Sequence, residues 1–101
     1  MKKSKKELTE ISKALKVLTD TNRLSIIQEL MYGSQTVGHI HESLQMEQSL
    51  VSHHLSVLKK WGYVFAEKKG REVFYKNSGS IKKGFSKLNF NFGCCSIRLK
   101  E

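Results

Sequence analysis

The sequence contains no proline, and its only two cysteines, Cys94 and Cys95, are adjacent and close to the C-terminus. Neighbouring thiols cannot staple distant parts of a chain together, and a reducing cytosol disfavours a structural disulfide. Long apolar runs are lacking as well; none approaches the roughly 18–20 residues that a membrane-spanning helix needs. The charged start, Met1-Lys2-Lys3-Ser4-Lys5-Lys6-Glu7, is followed by no apolar signal stretch. A cytoplasmic protein with no membrane partner is therefore expected. Internal repeats and low-complexity linkers are missing too, so residues 1–101 are expected to form a single domain. Acidic residues are scarce, 9 against 18 basic ones, for a formal charge of +9. A small domain with that excess attracts polyanions, nucleic acid first and anionic membrane second. With 101 residues the core is modest, which makes oligomerisation a route to further burial.

What is present is ordered by apolar spacing. Leu8, Ile11, Leu15 and Leu18 recur at intervals of three and four, which predicts an amphipathic helix over about residues 5–18. Thr19-Asp20-Thr21 offers an N-cap for a second helix, Asn22 to Tyr32, carrying Leu24, Ile27, Leu30 and Met31 and stopped by Gly33. Thr36 can cap a short helix from Val37 to Leu44 with Val37, Ile40 and Leu44 inward. Gln45-Met46-Glu47 then leads into a long helix over residues 48–60, and two helices joined by such a tight turn form a helix-turn-helix. In this last helix Val51, Leu55 and Leu58 make the core stripe, with Leu50, Val57 and Trp61 widening it. Strand propensity rises at Tyr63-Val64-Phe65 and Val73-Phe74-Tyr75 around a Lys69-Gly70 turn. Ile81, Phe85 and Leu88 suggest a final helix, weakened by Gly84. The expected architecture is mainly α with a small β-hairpin, in the order α-α-α-α-β-β-α: a winged helix-turn-helix.

A helix with hydrogen-bonding side chains in its first turn, followed at once by a cationic hairpin, suits a DNA major groove with a wing on the backbone. Gln48 can pair bidentately with adenine, while Ser49 and Ser52 can bond to a base edge or a phosphate. His53 and Ser56 share that front. His54 stands between Val51 and Leu58 on the inner side and is expected to be packed and hydrogen-bonded. Lys68, Lys69 and Arg71 at the wing are expected to meet phosphates or the minor groove, adding affinity more than sequence choice.

The stretches Leu18-Thr19-Asp20-Thr21-Asn22-Arg23-Leu24-Ser25-Ile26-Ile27, Gln48-Ser49-Leu50-Val51-Ser52-His53-His54-Leu55, Leu58-Lys59-Lys60-Trp61-Gly62-Tyr63-Val64 and Gly70-Arg71-Glu72-Val73-Phe74-Tyr75 resemble the ArsR/SmtB family of bacterial winged-helix repressors. The resemblance covers residues from about 8 to 88. It implies a homodimer built from the first and last helices, binding an imperfect palindromic operator in double-stranded DNA. It also implies repression relieved by a soft metal or a thiol-reactive species. One departure is Glu47, where relatives place serine or threonine as the N-cap; glutamate is a poorer cap, although its charge suits the positive helix end.

No cofactor is required by this reading, and the sensor of such a protein must be sought residue by residue. The family's cysteine site before the recognition helix has no counterpart in Gln35-Thr36-Val37-Gly38-His39-Ile40, and His39 and His41, two apart on a helix, make a poor chelate. Residues 78–92 lack His, Asp and Glu, which excludes the family's other common site. Cys94 and Cys95 remain. Adjacent thiolates suit arsenite, antimonite, cadmium or copper(I), arsenite needing a third donor, and oxidation is a redox alternative. They serve equally as unremarkable tail cysteines. The leading expectation is thus a dimeric repressor released from its operator through Cys94 and Cys95. The alternatives are a winged-helix regulator with no small-molecule or metal input and a nonspecific nucleic-acid-binding protein. An enzyme is not expected: a thiol-disulfide catalyst would need Cys-x-x-Cys at a helix start in a mixed α/β fold.

Overall fold

The computed structural model describes residues 4–79 together with 81–84, 87–91 and 96–100. Helix α1 spans Lys5–Val17 and begins with a reciprocal pair: the Ser4 hydroxyl accepts from the Glu7 N–H at 3.1 Å and donates to the Glu7 carboxylate at 3.3 Å. Helix α2, Thr21–Leu30, is capped by Asp20, whose carboxylate accepts from the N–H groups of Asn22 and Arg23. Burial pushes that carboxyl up, but these two backbone bonds and the charges of His54 and Arg23 outweigh it and hold it below its ordinary value. Helix α3, Val37–Leu44, carries the expected Thr36 cap, and α4 runs over Gln48–Lys60.

Strands β1, Val64–Lys69, and β2, Glu72–Asn77, form an antiparallel hairpin in which Lys69 faces Glu72 across the turn. Gly70 holds the turn at φ 65°, a conformation that side chains with a Cβ rarely adopt. The hairpin is tied to the body at its base. Gln35 exchanges two backbone bonds with Tyr75, at 2.9 and 2.8 Å, and Ser78 N–H donates to the Tyr63 carbonyl.

The core gathers Val17, Leu18, Ile26, Ile27, Leu30, Ile40, Val51, Leu55, Leu58, Tyr63 and Val64, drawn from all four helices and the root of the wing. Buried Tyr63 reaches α1 by donating its hydroxyl proton to the Ala14 carbonyl at 2.8 Å, and burial raises that hydroxyl to a pKa of about 12. Helix α1 is covered mainly in its last turn: Val17 and Leu18 are buried, Ile11 and Leu15 are half-buried, and Leu8 is exposed.

The winged helix-turn-helix expected from the spacing is the observed architecture, with one correction. Where a last helix was expected, the chain forms strands β3 (Ile81–Gly84) and β4 (Lys87–Asn91), joined by β5 (Ser96–Lys100) in a three-stranded antiparallel sheet of order β3-β4-β5. The physical reason lies in period. Leu88 and Phe90 alternate with Lys87, Asn89 and Asn91, and Ile97 and Leu99 alternate with Ser96, Arg98 and Lys100. That two-residue repeat fits a strand, Asn and Gly are poor helix formers, and the register places Leu88 opposite Leu99 and Phe90 opposite Ile97. An interface made by a last helix is therefore not available to this chain as expected. Phe85 lies outside the described residues.

Candidate nucleic-acid interface

The site is built on α3, α4 and the hairpin. The turn between the two helices is set by Gln45, whose φ of 56° places it in the left-handed region while its N–H closes onto the His41 carbonyl. The His41 ring N–H at Nδ1 donates to the Met46 carbonyl, so this histidine fastens the turn. His39 stays exposed on α3, its backbone N–H held by Thr36.

Helix α4 is divided sharply between its two sides. Val51, Leu55 and Leu58 are fully buried, and His54 is 5% exposed. Gln48, Ser49, Ser52, His53 and Ser56 are all exposed, with Lys59 and Lys60 continuing the polar surface to the helix end. The expected base-facing residues thus share the outer side of one rigid helix. Glu47 sits at the N-cap as expected and makes no side-chain bond to the helix.

His54 is packed and hydrogen-bonded, as its position between Val51 and Leu58 required. Its Nδ1 accepts from the Arg23 Nε–H at 3.0 Å, and Arg23 also donates to the Val17 carbonyl at 3.2 Å. Because a guanidinium has only donors, Nδ1 must be the bare nitrogen and the ring proton sits on Nε2. Burial lowers the His54 pKa, Asp20 opposes that, and the Arg23 and His53 charges reinforce it. The neutral ring is therefore the form that the fold holds. One arginine and one histidine in this way link the end of α1, the start of α2 and the recognition helix.

On the wing, Lys68, Lys69 and Arg71 are exposed at the tip, as is Lys76 further along. The Lys69 ammonium lies 5.5 Å from the Phe74 ring centroid, a cation–π contact across the hairpin. Glu67 and Glu72 are the acidic residues on the hairpin.

Two features escape sequence reasoning. Leu50, grouped by spacing with the apolar stripe, is 37% exposed and lies outside the buried cluster, whereas Val57 and Trp61 pack against it. Arg23 gives no sign in the sequence of its bond to a histidine 31 residues away. Cys94 and Cys95 lie outside the described residues. Among the described residues no group of three His, Cys, Asp or Glu side chains is placed to hold a metal ion, and no helix is long and apolar enough to cross a membrane.

A family model described as bacterial regulatory protein, arsR family, matches residues 20–65. The HTH-type transcriptional regulator NmtR of Mycobacterium tuberculosis is 36% identical over 66 residues, 65% of this chain and 55% of that protein. The transcriptional activator HlyU of Vibrio cholerae is 31% identical over 80 residues, 79% of this chain and 74% of that protein. Among solved structures, the homodimeric winged helix-turn-helix DNA-binding domain Mb0332 of Mycobacterium bovis matches with a TM-score of 0.69 at 27% identity, covering 78% of this chain and 76% of that one. The chain spans about half the length of the first curated relative, NmtR. A capped helix-turn-helix, a recognition helix polar on its outer side, a cationic wing and these likenesses converge: the chain belongs to the arsR family of bacterial regulatory proteins.

Proposed function

We propose that this chain is a DNA-binding transcriptional repressor that acts as a homodimer on a palindromic operator. The observation that carries the reading is the two-sided recognition helix: Val51, Leu55 and Leu58 are fully buried while Gln48, Ser49, Ser52, His53 and Ser56 are all exposed beside a cationic wing. Gln48 reads an adenine edge, the serines and His53 bond to base edges or phosphates, and Lys68, Lys69 and Arg71 grip the backbone. Dimerisation is supported by α1, whose Leu8 is 54% exposed and whose Ile11 and Leu15 are half-covered, and by the homodimeric state named for Mb0332. Two copies related by a two-fold axis fit a palindrome, because protein symmetry is mirrored in the operator.

The input that the sequence offers is Cys94 and Cys95. Two thiols displace two hydroxyl groups of arsenous acid as water, the third ligand coming from outside this pair; cadmium and copper(I) bind the same thiolates by coordination. The His39/His41 stretch offers nothing comparable, since His41 is committed to the Met46 carbonyl.

The test is a gel shift on DNA from upstream of the protein's own gene, competed with random duplex. It is run with and without arsenite, cadmium or copper(I), on wild type and on a Cys94→Ser/Cys95→Ser variant. We expect binding that random duplex competes poorly, and release that only the wild type shows. Equal competition by random duplex would make this a nonspecific binder. Release unchanged in the variant would remove the thiols from the mechanism, and no release at all would leave a regulator without this input.

A further inference from the structure

Leu50 is the one exposed large hydrophobic residue on the helix-turn-helix among the described residues, 37% exposed and outside the buried cluster. It occupies the third position of α4, directly after Gln48 and Ser49 and directly before the wholly buried Val51. Residues three apart on a helix are surface neighbours, so Leu50 adjoins His53, which is also exposed. Its side chain is therefore an apolar patch at the edge of an otherwise hydrogen-bonding surface, in the first turn, the part of a recognition helix that reaches deepest into a major groove. Base edges in that groove present donors and acceptors everywhere except one place: the C5-methyl of thymine is their only apolar group.

From this we infer that Leu50 is a specificity-determining residue that recognises a thymine methyl in the operator. The inference rests on the DNA-binding reading above and adds to it a base identity that the polar residues do not supply. Leucine and methyl remove each other from water, a cytosine at the same step offers only its amino group to the leucine, and the resulting preference is for thymine by hydrophobic contact instead of by hydrogen bonding.

The test uses a duplex that the wild-type chain selects from a randomised pool. Each thymine is replaced in turn by deoxyuridine, which removes the 5-methyl group and leaves the hydrogen-bonding edge intact. Affinities are measured for the wild type and for Leu50→Ala, at a temperature where thermal melts show both proteins fully folded. We expect one thymine per half-site at which the wild type loses about four-fold in affinity on removal of the methyl group, the effect of burying one such group, while Leu50→Ala loses nothing there. If deoxyuridine costs both proteins the same at every position, or neither anything, Leu50 does not read a methyl group and the inference is overturned. It is overturned equally if Leu50→Ala weakens all duplexes alike, which would put Leu50 against the sugar-phosphate backbone or a partner copy. A wild type that selects no sequence from the pool would instead defeat the DNA-regulator reading itself, so the two failures are distinct.

Discussion

Glu47 occupies the N-cap of the recognition helix without bonding to any of its free N–H groups, whereas Ser4, Asp20 and Thr36 cap their own helices through side-chain oxygens. A serine at 47 would accept one of those N–H groups, and it would remove a negative charge from the end of the helix that the proposed function turns towards DNA. Replacing a non-capping residue by serine at such a position is worth about 1 kcal/mol. Glu47→Ser is therefore expected to raise the denaturation free energy by about that amount and to tighten operator binding, both measurable on one preparation. Unchanged stability would mean that the carboxylate's favourable interaction with the helix dipole already balances the missing cap. The weak cap was legible in the sequence, because residue type at an N-cap is a local property. The exposure of Leu50 was not: it sits at the edge of the apolar arc, where helical spacing alone does not say whether a neighbour covers it.

Among the elements, the proposed function divides the work between the hairpin and the recognition helix. Phosphate contacts supply affinity regardless of sequence, and base-edge contacts supply choice. Arg71→Ala, at an exposed tip position, is expected to weaken binding to all duplexes similarly and to make the salt dependence shallower. Gln48→Ala, by contrast, should alter the preference between sites by about 1–3 kcal/mol at one base pair. Affinities across a panel of operator variants at several salt concentrations separate the two, and the opposite pattern would exchange their roles. Helices α3 and α4 fall where the sequence placed them because each has a strong period and, for α3, a capping threonine. The segment after Gly79 misled, since Ile81, Phe85 and Leu88 imitate a helical stripe while the neighbouring residues carry a strand's alternation. Strand pairing with a distant partner, here β4 with β5, decides between two such local patterns.

For the molecule as a whole, the Arg23–His54 bond joins two residues 31 apart in the chain, on α2 and α4, whose nitrogens the fold brings to 3.0 Å. Its pH consequence follows from the depressed His54 pKa. As pH falls below 6.5, the ordinary value, the unfolded chain takes up a proton that the native ring still refuses, so the unfolded state gains stability. The contribution of His54 is thus complete above that value and is lost progressively as pH falls through the lowered native one. We expect chemical-denaturation midpoints of the wild type to drop across this window. His54→Gln, whose amide oxygen can still accept from Arg23 but does not titrate, should show a shallower drop. Identical slopes would remove His54 as the source.

By itself the sequence determined the helix-turn-helix, the wing, the basic surface and the side of α4 that faces outward, because helix periods, caps and charge are set by residues within a few positions of one another. Only the tertiary structure decided that burial keeps His54 neutral where it bonds to Arg23, that Gln35 clamps the wing through Tyr75, that Leu50 is left partly exposed and that the segment after Gly79 pairs as strands. Each of these depends on which distant residue comes within bonding or packing reach, and neither spacing nor composition along the chain encodes that distance.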